Sequence, residues 1–140
     1  MEDEQRFQIG SEHDILTARQ RGRELAAEAG FSGTELTLVA TAISEIARNI
    51  VEYAGSGEIT FTLVRDGQSR GIVVVATDQG PGIADVAQAM QDGYSTSRSL
   101  GLGLPGARRL MDEFELDSEA GRGTTVTMKK WTRSSSARVS

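Results

Sequence analysis

Cysteine is absent from the 140-residue sequence, and histidine occurs once, as His13. Without cysteine the chain has no disulfide, no thiolate metal ligand and no thiol nucleophile, and one histidine is too few for a histidine-rich metal site. Any metal must therefore be held by oxygen or amide ligands, which suits Mg²⁺ better than Zn²⁺. His13 lies near a predicted helix start, where we expect a surface or capping role.

Long apolar runs and excess positive charge are also missing. No apolar stretch approaches the roughly 20 residues that cross a bilayer, and the acidic N-terminus lacks the apolar core of a signal peptide. Fifteen Lys and Arg against 20 Asp and Glu give a net charge of −5, which disfavours a general electrostatic grip on a phosphate backbone. We therefore expect a cytoplasmic protein that binds neither nucleic acid nor membranes.

The length suits one domain, and hydrophobic periodicity predicts its first elements. A short strand at residues 6–9 precedes a helix that begins after Ser11 and ends near Gly30. A second helix runs from Glu35 to about Tyr53, because apolar residues recur there at helical spacing. This second helix is the clearest element of the sequence.

Four strand segments and one further helix follow. The run at 72–76 is continuously β-branched and fits a central strand covered on both faces. The predicted strands lie at 58–64, 71–78, 114–118 and 124–130, and the predicted helix at 102–111. This order predicts an α+β fold, a two-layer sandwich, and argues against a Rossmann unit, whose strands alternate with helices. We expect residues 1–131 to form the domain and the Ser-rich residues 132–140 to be a disordered tail.

Glu45 and Asn49 lie one helical turn apart on the second predicted helix, so their side chains share a face. A carboxylate can accept the proton of an attacking hydroxyl, and an amide oxygen is a neutral ligand suited to Mg²⁺. Taken alone, the pair is more simply a solvated helix face with an ion pair between Arg48 and Glu45. The apolar stripe beside them, however, places both side chains where they could face a cleft.

A second candidate segment, DQGPG at 78–82, follows directly after the apolar strand. Asp78 could accept a hydrogen bond from an exocyclic amine such as that of adenine. Gly80 and Gly82 would let the backbone pass close to a planar ring. A Pro-Gly turn with a turn-forming aspartate explains the same residues equally well.

Three glycines, Gly101, Gly103 and Gly106, open the helix at 102–111. Their exposed N–H groups and the helix dipole would attract phosphate. Glycines are also common in ordinary tight turns between elements, and the Lys-Ser/Thr of a P-loop is missing. Upstream, Arg98 belongs to a polar segment that could close over phosphates as a lid or be a flexible surface loop. Thr124, in the last hairpin, could complete an adenine contact or simply belong to a Thr-rich strand.

The order of these segments resembles the four sequence boxes of the GHKL ATPase and kinase superfamily, which includes gyrase, Hsp90, histidine kinases and MutL. The boxes are Glu-x-x-x-Asn on a helix, Asp-x-Gly-x-Gly after a strand, Gly-x-Gly opening a helix and Gly-x-Gly-Thr before the last strand. With a short lid and no phosphoacceptor domain, the chain looks like the small anti-sigma-factor serine/threonine kinases. The stretches SEIARNIVEYAG and GLGLPGARRLMDEFE are most similar to the stressosome switch kinases.

This resemblance implies a Bergerat-type fold, in which helices cover a mixed, mostly antiparallel sheet and ATP lies between the helices and the lid. By position, Glu45 matches the general base, Asn49 the Mg²⁺ ligand and Asp78 the carboxylate that recognises the adenine amino group. The other implied nucleotide contacts are Gly80, Gly82, Arg98, Gly101, Gly103, Gly106 and Thr124. The resemblance assigns no role to Arg48.

The activity that the resemblance implies is transfer of the ATP γ-phosphate to a Ser or Thr of a STAS-domain partner in a partner-switching stress response. Once released from that partner, the kinase would bind and activate a downstream phosphatase. One alternative is a regulatory module that holds ATP as a structural ligand and sequesters a sigma factor or activates a phosphatase. Another is an ATP-hydrolysing domain or a detached histidine-kinase catalytic domain. The sequence marks neither a partner surface nor a homo-oligomer interface.

Overall fold

A computed structural model describes residues 4–82 and 103–132. The elements in these ranges are β1 (Glu4–Ile9), α1 (Glu12–Ala29), α2 (Thr34–Asn49), a π-helical turn (Ile50–Ala54), β2 (Gly57–Asp66), β3 (Ser69–Asp78), α3 (Gly103–Leu110), β4 (Glu113–Glu119) and β5 (Gly123–Trp131). The predicted order of strands and helices is confirmed. Within the described residues, no helix is both long and apolar enough to cross a bilayer.

The five strands form one sheet in the order β1-β2-β3-β5-β4. Each of the four described pairings is antiparallel, which confirms the prediction of a mostly antiparallel sheet. The β2–β3 hairpin turns at Gly67, whose φ of +65° is easily adopted only by glycine. The β-branched strand β3 lies at the centre of the sheet, as predicted.

The helices cover one face of this sheet, and the main core lies between the two layers. Along β3, Ile72, Val74 and Ala76 are buried against the helices, whereas Val73 and Val75 are only half-buried on the opposite face. The prediction that β3 is covered on both faces is therefore wrong. Its β-branched residues on the open face reflect strand propensity rather than burial.

The first helix has the predicted ends. Ser11 caps α1 by accepting a hydrogen bond from the backbone N–H of Asp14 at 3.3 Å, and Gly30 ends the helix in the left-handed conformation, with a φ of +109°. Halfway along α1, Gly22 allows close packing, since a Cβ there would overlap Ile43 of α2 and lie 3.2 Å from the ring of Phe61. The helix layer is therefore held tightly against itself and the sheet.

The second helix has the predicted extent but not a uniform geometry. Regular α-helix ends at Asn49, and the chain continues through the π-helical turn before Gly55, with a φ of +85°, ends it. π-helical turns are rare and are frequent at functional sites. The change of geometry falls directly after one of the predicted site residues.

The third helix is fixed by its C-terminal end. Lys130 on β5 is only 8% exposed, and its Nζ donates a hydrogen bond of 3.1 Å to the carbonyl of Leu110, the last residue of α3. A cation at a helix C-terminus satisfies a free carbonyl and is favoured by the helix dipole. The contact holds α3 in place over the sheet.

Thr132 is joined to the sheet by two hydrogen bonds. Its N–H donates to the carbonyl of Arg70 at 2.7 Å, and its Oγ1 accepts from the N–H of Arg70 at 3.0 Å. Thr132 therefore extends the sheet pairing by one residue beyond the predicted domain boundary at 131. The rest of the predicted tail, residues 133–140, lies outside the described residues.

The loop that follows β3 packs closely against the π-helical turn. A Cβ at Gly80 would overlap Ala54 of that turn. Gly57, at the start of β2, is equally confined, because a Cβ there would lie 2.9 Å from Cγ2 of Ile50 and 3.1 Å from the Cβ of Asp78. Only residues without a side chain allow the π-helical turn, β2 and the loop to meet at this distance.

The same loop packs against the β4–β5 hairpin from the other side. A Cβ at Gly82 would overlap the carbonyl of Glu119, and a Cβ at Gly123 would overlap the carbonyl of Asp78. Both glycines also have positive φ angles, +76° and +85°. The segment from Asp78 to Gly82 is therefore held between two neighbours by backbone contacts.

Two glycines of the β4–β5 hairpin test this packing, since both have a positive φ, +83° at Gly121 and +85° at Gly123, but only Gly123 faces the carbonyl of Asp78. Alanine at either position meets the same backbone strain, and at Gly123 it adds a steric overlap. We expect Gly123→Ala to lower the free energy of unfolding by about 1–3 kcal/mol more than Gly121→Ala, measured by urea denaturation. Equal losses would contradict the close approach.

Candidate functional site

Several of the predicted site residues lie at one end of the sheet. Asp78 ends β3, and its register partners on the neighbouring strands are Gly57 of β2 and Thr124 of β5. Asn49 ends α2, and the π-helical turn that continues from it contacts Gly80 in the loop after Asp78. The end of α2 and the end of β3 therefore border one region, although they are about 30 residues apart in the chain.

The carboxylate of Glu45 lies in a protected position, since this residue is only 8% exposed. The alternative interpretation, a solvated helix face, is therefore wrong for Glu45. Arg48 pairs with another helix: its guanidinium lies 3.5 Å from the carboxylate of Glu12 in the first turn of α1. The described ion pair of Arg48 therefore joins α2 to α1.

Asn49 is the single asparagine in the sequence, and its amide has a defined orientation. Its Nδ2 donates a hydrogen bond of 3.0 Å to the backbone carbonyl of Glu45, one turn earlier. Because only the nitrogen of the amide can donate to a carbonyl, Oδ1 is the atom on the other side. Asn49 is thus arranged to offer a neutral oxygen, the ligand type that Mg²⁺ accepts.

Asp78 is half-buried, and one of its two carboxylate oxygens has a structural role. Oδ1 accepts a hydrogen bond of 2.9 Å from the N–H of Gly80. This is the turn-forming role that sequence reasoning offered as an alternative, and it also sets the plane of the carboxylate. Oδ2 then remains as the oxygen that can accept a hydrogen bond from a ligand, so both interpretations of Asp78 are compatible.

Two residues near Asp78 were missed by the sequence analysis. Gly57 leaves space beside Asp78 because it has no side chain. Ser118 on β4 is the register partner of Thr124, and the two hydroxyl oxygens are 2.8 Å apart. The sequence contains no local signal for either role, because both follow from the pairing of strands that are distant in the chain.

The glycine-rich segment is described only in part. Gly103 and Gly106 are the first and fourth residues of α3, so their N–H groups belong to the four at the helix start that have no partner within the helix. Such groups, together with the helix dipole, attract phosphate. Arg98 and Gly101, the other predicted phosphate contacts, lie outside the described residues.

Among the described residues, the site offers few side chains that could bind a metal. In the described ranges, no group of three or more His, Cys, Asp or Glu residues is placed to hold a metal ion. Mg²⁺ commonly takes one or two protein oxygens and completes its shell with waters and substrate phosphates. Asn49, with Glu45 one turn away, fits that ligand set.

A shallow groove of about 400 Å³ lies between α1 and β1 and includes none of the predicted site residues. His13 lines it and is exposed, which confirms the expected surface position. Arg21, in the same groove, donates a hydrogen bond to Glu24 and is the main cause that lowers the pKa of that carboxyl. The groove therefore does not belong to the site at the end of β3.

Known proteins resemble this chain over nearly its full length. The family described as "Histidine kinase-like ATPase domain" matches residues 11–130. The serine/threonine-protein kinase RsbT of Bacillus subtilis (strain 168) is 50% identical over 133 residues, which are 95% of this chain and 100% of that protein. An anti-sigma F factor of Caldanaerobacter subterraneus subsp. tengcongensis is 33% identical over 104 residues, or 69% of this chain and 71% of that factor.

Two solved structures share the fold. The structure of the RsbU and RsbW domains of a Mycobacterium tuberculosis protein matches 94% of this chain with a TM-score of 0.65 and 21% identity, and the match spans only 34% of that longer chain. A chain of the SiaB–SiaC complex from Pseudomonas aeruginosa matches with a TM-score of 0.53 and 15% identity, covering 91% of this chain and 89% of that one.

The resemblance drawn from the four sequence boxes is thereby confirmed, as are the α+β fold and the use of ATP. The solved structures support the fold alone, because their sequence identities are low. The activity, that of a serine/threonine-protein kinase, is shown by the 50% identity to such a kinase over 95% of this chain. The chain therefore belongs to the Histidine kinase-like ATPase domain family and, within it, to the serine/threonine-protein kinases of partner-switching systems.

Proposed function

We propose that this kinase transfers the γ-phosphate of Mg-ATP to a Ser or Thr hydroxyl of a STAS-domain protein, with Glu45 as general base and Asn49 as the Mg²⁺ ligand. The observation that carries the proposal is the arrangement at the end of α2. A carboxylate that is 8% exposed lies one turn before an amide whose nitrogen is bound to the helix backbone, which leaves the amide oxygen for a metal. The π-helical turn connects this pair to the loop that holds Asp78.

The nucleotide is held from three sides in this proposal. Oδ2 of Asp78 accepts a hydrogen bond from the adenine amino group, and Gly80 and Gly82 keep the base pocket free of side chains. The free N–H groups at the start of α3, including those of Gly103 and Gly106, face the phosphates. The remaining proposed nucleotide contacts are Thr124 beside Asp78, and Arg98 and Gly101 at the phosphates.

In the transfer step, the Ser or Thr hydroxyl of the partner attacks the γ-phosphorus. The new O–P bond forms as the bond between the γ-phosphorus and the β–γ bridging oxygen breaks, ADP leaves, and the hydroxyl proton passes to the carboxylate of Glu45. Mg²⁺, when bound, neutralises phosphate charge. Little other covalent chemistry is required, because phosphoryl transfer depends mainly on positioning and charge stabilisation.

The partner is proposed from the relatives. One is a serine/threonine-protein kinase and others are anti-sigma F factors, which supports a protein that alternates between a STAS-domain substrate and a downstream regulator. We propose a cytoplasmic setting, with a phosphatase or a sigma factor as that regulator. A non-catalytic module that only binds ATP is the competing proposal, supported by the anti-sigma relatives, and the next experiment separates the two.

Glu45→Gln keeps the size and polarity of the side chain but cannot take a proton. We expect phosphate transfer from γ-³²P-ATP to each purified STAS-domain protein of the source organism to fall on the order of 10²–10⁴-fold, with the dissociation constant for Mg-ATP unchanged. Glu52→Gln, at an exposed position on the π-helical turn, is the matched control and should behave as wild type. Full transfer by Glu45→Gln would refute the general base, and no transfer by the wild type to any STAS-domain protein would favour the binding module.

Asn49→Ala removes the proposed metal ligand. For the wild type, we expect Mg²⁺ to tighten ATP binding relative to the same titration in EDTA, because the metal joins the phosphates to Asn49. In Asn49→Ala this difference should shrink on the order of tenfold, about 1.4 kcal/mol, while binding in EDTA stays the same. An undiminished Mg²⁺ effect in the variant would rule out Asn49 as the ligand.

A further inference from the structure

We propose that Lys130 is a positioning residue for phosphoryl transfer, because its bond to the C-terminal end of α3 sets where the N-terminal end of that helix meets the phosphates of ATP. This inference rests on the proposed function, in which the free N–H groups at the start of α3, including those of Gly103 and Gly106, face the phosphates. Lys130 binds the opposite end of α3, so it acts on the nucleotide through the helix.

Lys130 occupies a position where the strand pattern favours an apolar side chain. Val126 and Met128, at alternate positions before it on β5, are buried in the core, and Lys130 continues this row at 8% exposure. Lysine is rarely buried to this degree unless its charge is paired. Its Nζ donates a hydrogen bond of 3.1 Å to the carbonyl of Leu110 and lies 4.0 Å from Oδ1 of Asp112. An apolar residue would fill the same space, whereas the ammonium group also binds the end of α3.

The segment that joins α3 to β4 is bound to the end of β5 as well. The N–H of Asp112 donates to the carbonyl of Lys129 at 2.9 Å, and its Oδ2 accepts from the N–H of Trp131 at 2.8 Å. These two bonds hold a residue beyond the helix, whereas Lys130 binds the last residue of the helix itself. The C-terminal end of α3 therefore has a defined position relative to β5.

The apolar contacts of α3 define its position along its own axis less well. Leu104 and Ala107 are buried in the core, and such contacts are non-directional, so they oppose a small shift along the axis only weakly. A hydrogen bond to a carbonyl at the helix end is directional and opposes this shift. Since α3 has eight residues and is about 12 Å long, a shift at Leu110 is passed to Gly103.

The consequence concerns the phosphates and not the base. Charge-assisted hydrogen bonds to phosphate are short, and a misplacement of about 1 Å weakens such contacts strongly. The proposed base contact, Asp78, is far from this bond: Lys130 pairs with Ile72 on β3, about 20 Å along the strand from Asp78. Loss of Lys130 should therefore weaken the phosphate contacts and preserve those to adenine, which a general loss of stability would not do.

The test compares two ligands of the full chain, Mg-ATP by isothermal titration and adenosine, which has no phosphate, by NMR chemical-shift titration. Lys130→Met keeps the length of the side chain and removes its charge and its donors. We expect it to raise the dissociation constant for Mg-ATP by about tenfold and to leave that for adenosine unchanged. Lys130→Arg keeps a cation that can donate to the same carbonyl and should restore most of the Mg-ATP affinity.

Lys129→Met is the matched control. Lys129 precedes Lys130 on β5, so its side chain lies on the opposite face of the sheet, where it pairs with Glu113 at 3.8 Å. The control removes the same charge without changing the contact to α3, and it should bind both ligands as the wild type does. Urea denaturation checks the fold of each variant, and we expect Lys130→Met to remain folded because an apolar residue can replace a buried charge without loss of stability.

An unchanged affinity for Mg-ATP in Lys130→Met, or equal losses for Mg-ATP and adenosine, would overturn the positioning role and leave the proposed function intact. An equal loss in Lys129→Met would also overturn it, because net charge would then be responsible. Lys130→Gln, which is shorter and uncharged, gives the same comparison if the methionine variant does not fold. Failure of the wild type to bind ATP would overturn the proposed function and this inference together.

Discussion

Close backbone packing at one end of the sheet is the constraint on which the site depends. The loop after β3 lies between the π-helical turn and the β4–β5 hairpin, and Gly80, Gly82 and Gly123 leave no room for a Cβ at the contacts. Because protein interiors are densely packed, a shift of one of these segments would also shift the segments in contact with it. The position of Asp78, and with it the base pocket, is therefore set by contacts that any larger residue would disrupt.

The same contacts bring together two groups of proposed site residues that are far apart in the sequence. The end of α2 carries Glu45 and Asn49, proposed for proton transfer and metal binding, and the end of β3 carries Asp78, proposed for base recognition. The π-helical turn directly continues α2 and packs against Gly80, so the end of α2 and the loop after β3 are in contact. A nucleotide bound to both would be fixed at its base and at its phosphates, which is the main requirement of phosphoryl transfer.

Hydrophobic periodicity in the sequence was sufficient to predict the order of helices and strands, and motif order was sufficient to identify the family. Burial of β3 was predicted wrongly, because β-branched residues favour strands whether or not both faces are covered. The ion pair of Arg48 with Glu12 could not be predicted from neighbouring residues in the sequence, because Glu12 belongs to another helix. Ser118 could be found only from strand register, which places it beside Thr124. Sequence order thus predicts elements well, whereas contacts between distant elements require the folded structure.

The most direct measurement is isothermal titration of the wild type and of Asp78→Asn with Mg-ATP. An asparagine at this position can still accept the hydrogen bond from Gly80, so the loop is preserved, but its amide cannot replace the carboxylate charge at the base pocket. Asp66→Asn, at the exposed last residue of β2, is the matched control. The account predicts saturable ATP binding by the wild type and the control, and a loss on the order of 10- to 100-fold in Asp78→Asn, about 1.4–2.7 kcal/mol. Equal affinities in all three proteins would contradict a nucleotide site at the end of β3.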